Sequence, residues 1–236
     1  LIRVIAKGDA AMSFTSATFK FLEQLAGHND KVWFEAHKAE YEEFVRGPAL
    51  DYIDSMAPLL ADFAPEFRAD ARKLGGSLMR VYRDTRFSRD KTPYKTNVGI
   101  QFRHQLGKNV HAPGFYLHVA PEECFLGVGS WHPEADLLGR IRDLIAAQPK
   151  RWCAARDDCG FSAHWQLTGD TLTRPPRGYA ADHPEIEDIK RKDFIALAGL
   201  TRKEVTNARL VELSAERFAA AAPFMRFLCE AAGVRY

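Results

Sequence analysis

The sequence is poor in the residues that announce the commonest kinds of site. Its four cysteines, Cys124, Cys153, Cys159 and Cys229, are scattered. They form no C-x-x-C pair, and no H-E-x-x-H or other metal-ligand spacing occurs, so no metal centre is expected. Reduced, structural cysteines suit a cytoplasmic protein. No run approaches the roughly 18 apolar residues that argue for a membrane span. The opening LIRVIAKGDAA lacks the apolar core of a signal peptide. Excess charge of one sign is missing too: 33 Lys and Arg stand against 31 Asp and Glu, a formal net charge of +2. A polyanionic partner is therefore not implied by overall charge, and any anion site must rest on clustering. GVGSW before a helix lacks the third glycine and the parallel βαβ unit of a dinucleotide loop, so no cofactor is expected. No serine sits in a nucleophile elbow. Repeats, linkers and low-complexity tracts are absent, which leaves a single domain as the simplest organisation. Residues 1–13 read as a leader or disordered extension, with residues 14–236 as the domain.

Apolar and aromatic residues are plentiful, with 46% hydrophobic residues and 16 Phe. The first third is periodic at helical spacing. Thr15 or Ser16 can cap a helix that places Phe19, Leu22 and Leu25 on one face. Asn29 can cap a second, with Trp33, His37, Tyr41 and Phe44 recurring along it. Gly47-Pro48 ends that segment and opens a third helix through Leu50, Ile53, Met56 and Leu60, with Pro58 expected to kink or shorten it.

The middle third changes period. Residues 77–84, 96–104, 113–120 and 123–130 read as strands joined by short connections, hence antiparallel. Alternation assigns Val98, Ile100, Phe102, Phe115, Leu117, Val119, Leu126 and Val128, with Met79 and Val81, to one buried face. The other face carries Arg80 and Tyr82, Asn97 and Gln101, and Tyr116 and His118. His104 and His111 fall on a surface hairpin. Helices follow after Trp131 and at 150–158, with a fifth strand at 194–199. Thr201 and Glu204 suit a capping box. Ser214 opens a last helix kinked near Pro223. The fold class is α+β: a mainly antiparallel sheet packed on one face by N- and C-terminal helices.

One stretch departs from the neutral background. RVYRDTRFSRDKTPYK, residues 80–95, holds six cations (Arg80, Arg83, Arg86, Arg89, Lys91 and Lys95) and two carboxylates, Asp84 and Asp90. Phe87 is expected to anchor this loop by burial. Arginine forks match carboxylates and phosphates, and lysine adds a point charge. An Arg–Asp network that only stabilises the loop would give the same composition. Asp182-His183 suits a helix cap better than a catalytic pair.

RVYRDTRFSRDKTPYKTNVGIQF, PGFYLHVAPEECFLGVGSWHP and RPPRGYAADHPEIEDIKRKDF, with NDKVWFEAHKAEY near the start, together resemble the DUF2461 family of bacterial proteins of unknown function. The resemblance runs from about Phe14 to the C-terminus. It places a family signature on Arg80, Arg83, Asp84, Arg86, Phe87, Asp90, Lys91 and Tyr94. It implies no activity, but it favours a site over a purely structural network.

Three functions follow as expectations. The first is a site for an anionic small molecule: Arg80, Arg83, Arg86, Asp90, Lys91, Lys95 and Tyr116 line it, and His118, Asp84 and Tyr94 are candidates for proton transfer. Arg174, Tyr179, Asp182 and His183, on a rigid Pro/Gly turn, are expected to complete the same pocket. The second is nucleic-acid binding through the basic loop, with tyrosines for stacking. The third is a non-catalytic interaction protein in which the Arg/Asp signature is structural. Oligomeric state is not legible.

Overall fold

A six-stranded antiparallel sheet organises the chain. The computed structural model describes residues 14–106 and 113–236. The expectations for residues 1–13 and for His111 lie outside the described residues. In chain order the strands are β1 (Phe67–Arg68), β2 (Val98–His104), β3 (Gly114–Val119), β4 (Cys124–Ser130), β5 (Gln166–Thr168) and β6 (Phe194–Leu200). Their order across the sheet is β1-β2-β3-β4-β6-β5, and every pairing is antiparallel.

Alternation decides the two faces, because successive side chains point to opposite sides. Val98, Ile100, Phe102, Phe115, Leu117, Val119, Leu126, Val128, Phe194 and Ala196 are all buried. They share one core with the N-terminal and C-terminal helices. The second face of β2 and β3 is in register across the two strands: Gly99 pairs with His118 and Gln101 with Tyr116. Residues on this second face, including Gln101, Tyr116, His118, Phe125 and Leu197, stay partly exposed.

The helices form for readable reasons. Thr15 caps Ser16–Gly27 in a capping box with Thr18. The next helix, Lys31–Ala36, is capped by Asp30 rather than Asn29. Gly47-Pro48 does not end the helical run. Lys38–Tyr41 passes through a π-helical turn, Glu42–Arg46, straight into Gly47–Phe63, which continues beyond Pro58. At the far end, Leu210–Ala220 and Ala222–Ala232 are separate helices that break just before Pro223. Thr201 and Glu204 make the expected capping box.

The segment expected as a strand at 77–84 is not a regular strand. Its hydrogen bonds to β2 are Met79 N to Gly99 O (2.9 Å) and Gln101 N to Ser77 O (2.9 Å), with an isolated bridge between Leu78 and Ile100. At Leu78 and Met79 the register is one residue off the expected one, while Val81 packs against the core as expected. Leu78 faces the core side opposite Ile100, and the Met79 sulfur lies over Gly99 on the second face. His104 is also corrected: it is buried, not on a hairpin surface. Its Nδ1 accepts from Leu106 N (3.2 Å), which leaves Nε2–H to donate to Arg235 O (2.8 Å).

Candidate functional site

Beyond Arg80 the basic segment leaves the sheet as a two-legged arm. Its base is closed by backbone bonds from Arg83 N to Pro93 O (2.9 Å) and Lys95 N to Val81 O (2.7 Å), with Tyr82 bridged to Tyr94. Tyr94 fixes the arm to the N-terminal helices. Asn29 accepts from Tyr94 N (3.0 Å) and donates to Tyr94 O (2.9 Å). The Tyr94 ring stacks on Phe34 at 4.0 Å. Tyr94 is 2% exposed, and burial raises its pKa. It anchors the arm.

The arm is cross-linked from within. Arg83 bonds Asp90 and Thr92. Arg86 grips Asp84 through Nε (3.0 Å) and Nη2 (2.7 Å). Lys91 donates to Thr85 O (2.9 Å). The bond from Arg86 holds the Asp84 carboxyl down at about 2, and the bond from Arg83 does the same for Asp90. Both stay ionised at neutral pH, so Asp84 is an ion-pair partner and no proton donor there. Phe87 does not anchor the loop by burial: at the tip it is 95% exposed.

Two cations at the base behave differently. Among the described residues, the side chains of Arg80 and Lys95 make no hydrogen bond or ion pair. Burial, and then the charge of Arg80, lowers the Lys95 pKa. Lys95 and Asn97 line one pocket with Leu22, Tyr41 and Met79, between the first helix and the segment that borders β2. Asn97 carries the polar path onward. Its Nδ2 lies 3.5 Å from His118 Nδ1, and the Tyr116 hydroxyl lies 3.3 Å from the same atom. With an amide and a hydroxyl as donors, Nδ1 is the acceptor and the imidazole proton sits on Nε2. His118 stacks on Phe125 at 4.6 Å. Burial lowers its pKa, against the pull of Glu123 and Glu122, so the ring is neutral at pH 7. Burial pushes the Tyr116 hydroxyl up to about 12. The side chain of Tyr116 lies over a glycine: a Cβ on Gly99 would stand 2.7 Å from its hydroxyl.

The Pro/Gly turn does not join this group. It belongs to the hairpin beyond β5 and β6, where Leu172 N donates to Lys190 O and Thr171 bridges Arg191. That end of β6 lies beside Ser130 of β4. The arm instead flanks the start of β2, at the other edge of the sheet and the other end of its strands. Five strand spacings of about 4.8 Å already separate the two edges by roughly 24 Å. The two segments therefore occupy diagonal corners, and no hydrogen bond or ion pair joins them among the described residues. Arg174 and Asp182 are exposed. Tyr179 donates to Asp143 (2.8 Å), and His183, accepting from Glu185 N (3.0 Å), approaches Ala146 O at 3.4 Å. Both pin the turn to the helix Ala135–Ala147.

Residues that pattern reading passed over hold this second corner together. Asp188 accepts from Trp152 Nε1 (2.6 Å), Arg156 Nη1 (2.7 Å) and Arg191 Nε (2.7 Å). Asp193, 2% exposed, accepts from His132 N (2.7 Å), His132 Nδ1 (2.9 Å) and Asp170 N (3.1 Å). It thereby holds His132 at a φ of 46°, a conformation rare for a residue with a Cβ. Asn97 was legible from alternation alone, which puts it on the same face as His118.

Fold and site define an α+β protein with one antiparallel sheet, a basic arm at one corner and a structural ion network at the other. The chain belongs to the DUF2461 family, described as "Conserved hypothetical protein", whose model matches residues 17–227. No curated protein and no solved structure gives a match. Among the described residues no helix is long and apolar enough to cross a membrane, and no group of three or more His, Cys, Asp or Glu could hold a metal ion.

Proposed function

We propose that this protein binds an anionic small molecule, phosphorylated or carboxylated, at the base of the arm, with Arg80 and Lys95 as its charge contacts. One observation carries the reading. Lys95 is half-buried beside the Arg80 cation and has no carboxylate partner among the described residues, and Arg80, whose charge reaches Asp84, makes no ion pair of its own there. Such an arrangement is unfavourable in the free protein and is relieved when an anion arrives. Asn97 supplies a neutral donor next to it. His118, neutral and with Nδ1 held by Asn97 and Tyr116, is the group suited to take or give a proton if the ligand reacts.

Titration calorimetry with inorganic phosphate and a panel of small carboxylates tests this. Lys95→Ala and Arg80→Ala should each weaken binding by roughly 1.5–3 kcal/mol, the range for a charge-assisted bond, without lowering the melting temperature. Arg83→Ala should instead loosen the arm. The sign of the pH effect follows from the lowered Lys95 pKa. Affinity is full while Lys95 is protonated and falls as pH rises, beginning below the ordinary lysine range. Binding that is indifferent to Lys95 would end the proposal.

A further inference from the structure

The outer half of the arm has properties that the site at its base leaves unused. Phe87 is the most exposed large apolar side chain among the described residues, although keeping such a ring in water is unfavourable. It is not on a loose end, because the Arg83, Arg86 and Lys91 bonds brace both legs behind it. The Arg86 guanidinium lies over the ring, 5.8 Å from its centroid, and the ring is otherwise open to solvent.

Charge along the arm is equally uneven. Six cations meet two carboxylates. Arg86 takes Asp84 and Arg83 takes Asp90. Arg80, Arg89, Lys91 and Lys95 are left without a carboxylate partner among the described residues. They run from base to tip: Arg80 and Lys95 at the closed end, Lys91 along the returning leg, Arg89 beside Phe87. Seven residues separate Lys95 from Phe87, so the row is longer than one phosphate or carboxylate. A flat ring with one side open, in a row of cations without ion-pair partners, fits a partner that is an extended polyanion bearing flat rings of its own.

We propose that the arm binds single-stranded nucleic acid, with an unpaired base stacked on the open side of Phe87 and backbone phosphates along Arg89, Lys91 and Lys95. Stacking on an aromatic side chain above a cationic track is a sequence-tolerant mode, because every base has a π-face. A duplex offers its phosphates but keeps its bases stacked on one another. A ring-free polyanion would engage the lysines and leave Phe87 idle.

The test uses the full chain and fluorescein-labelled 20-mers of single-stranded DNA, single-stranded RNA and duplex DNA, read by anisotropy at low salt. At least one single strand should bind more tightly than the duplex. Phe87→Ala should weaken that binding about tenfold, and Phe87→Trp should restore it. Because Phe87 is exposed, neither change should move the melting temperature. Arg89→Ala should reduce the slope of log affinity against log salt by roughly 0.7. Heparin binding should not respond to Phe87→Ala. The proposal falls if neither single strand binds, if the duplex binds equally well, or if Phe87→Ala leaves the affinity unchanged. It also falls if phosphatidylserine vesicles bind through Phe87 while the single strands do not. Phe87→Ala leaves phosphate binding at Arg80 and Lys95 intact, so either reading can fail without the other.

Discussion

Asp188 is the residue at which burial and charge most directly oppose each other. Burial alone would raise its pKa, but the bonds from Arg191, Trp152 and Arg156 outweigh that and hold it below the ordinary carboxylate range. Arg156 also reaches Glu185 and Asp157, and Trp152 is fully buried. Removing the carboxylate leaves the Trp152 indole N–H and the Arg191 Nε–H without their acceptor, while Arg156 keeps Glu185 and Asp157. Asp188→Ala should therefore cost about 3–5 kcal/mol in urea denaturation. The pH dependence has a definite sign. The folded pKa lies below the unfolded one, so the stabilisation is present at neutral pH and is lost as pH falls through the folded value. The wild-type melting temperature should drop steeply in acid, and the Asp188→Ala profile should be flatter there. A wild-type profile no steeper than the variant's would remove Asp188 from the account.

At the scale of elements, one side-chain amide, with the Phe34 stack beside it, ties the arm to the N-terminal helices. Asn29 satisfies both backbone groups of Tyr94 and so joins the turn after the first helix to the second leg of the arm, 65 residues away. Asn29→Ala should cost about 1–3 kcal/mol, the penalty for buried partners left unmet. It should speed amide exchange at Tyr94 more than at Ile100. Equal acceleration at both sites would mean the arm is held by something else. This contact also marks where the sequence stopped being readable. Period and alternation located β2, β3 and β4 with their buried faces, and β6 as a strand, because each is long enough for its pattern to repeat. Segment 77–84 mixes apolar and charged residues without a clean period. Only pairing with β2 decides that Leu78, not Met79, turns inward. Asn29 looked like a helix cap because the side chain that caps is one residue further on, and its real partner is distant in sequence. Phe87 was expected to anchor the loop by burial because it is apolar, but residue type carries no information about a side chain held outward by its neighbours' ion pairs.

For the whole molecule, the two motifs that look most functional sit at diagonal corners of one sheet. The sequence displays both with equal prominence, and nothing local distinguishes ligand contacts from the Tyr179, His183 and Asp188 bonds that secure a turn. Topology separates them. Changes at the two corners should consequently be independent. Arg174→Ala or Asp182→Ala combined with Lys95→Ala should give phosphate affinities that add to within about 0.5 kcal/mol. A larger coupling would require the corners to communicate. A last consequence comes from how the sheet stops. The outer side of β2 is occupied in two short pieces, Phe67–Arg68 against His104 and Arg103, and Ser77–Met79 against Gln101 and Gly99. The other margin is the three-residue β5. Neither rim offers a long row of idle amides to an incoming chain. A seventh strand has nowhere to begin, so concentrated or partly warmed solutions of this protein should resist growing into fibrils by lateral addition.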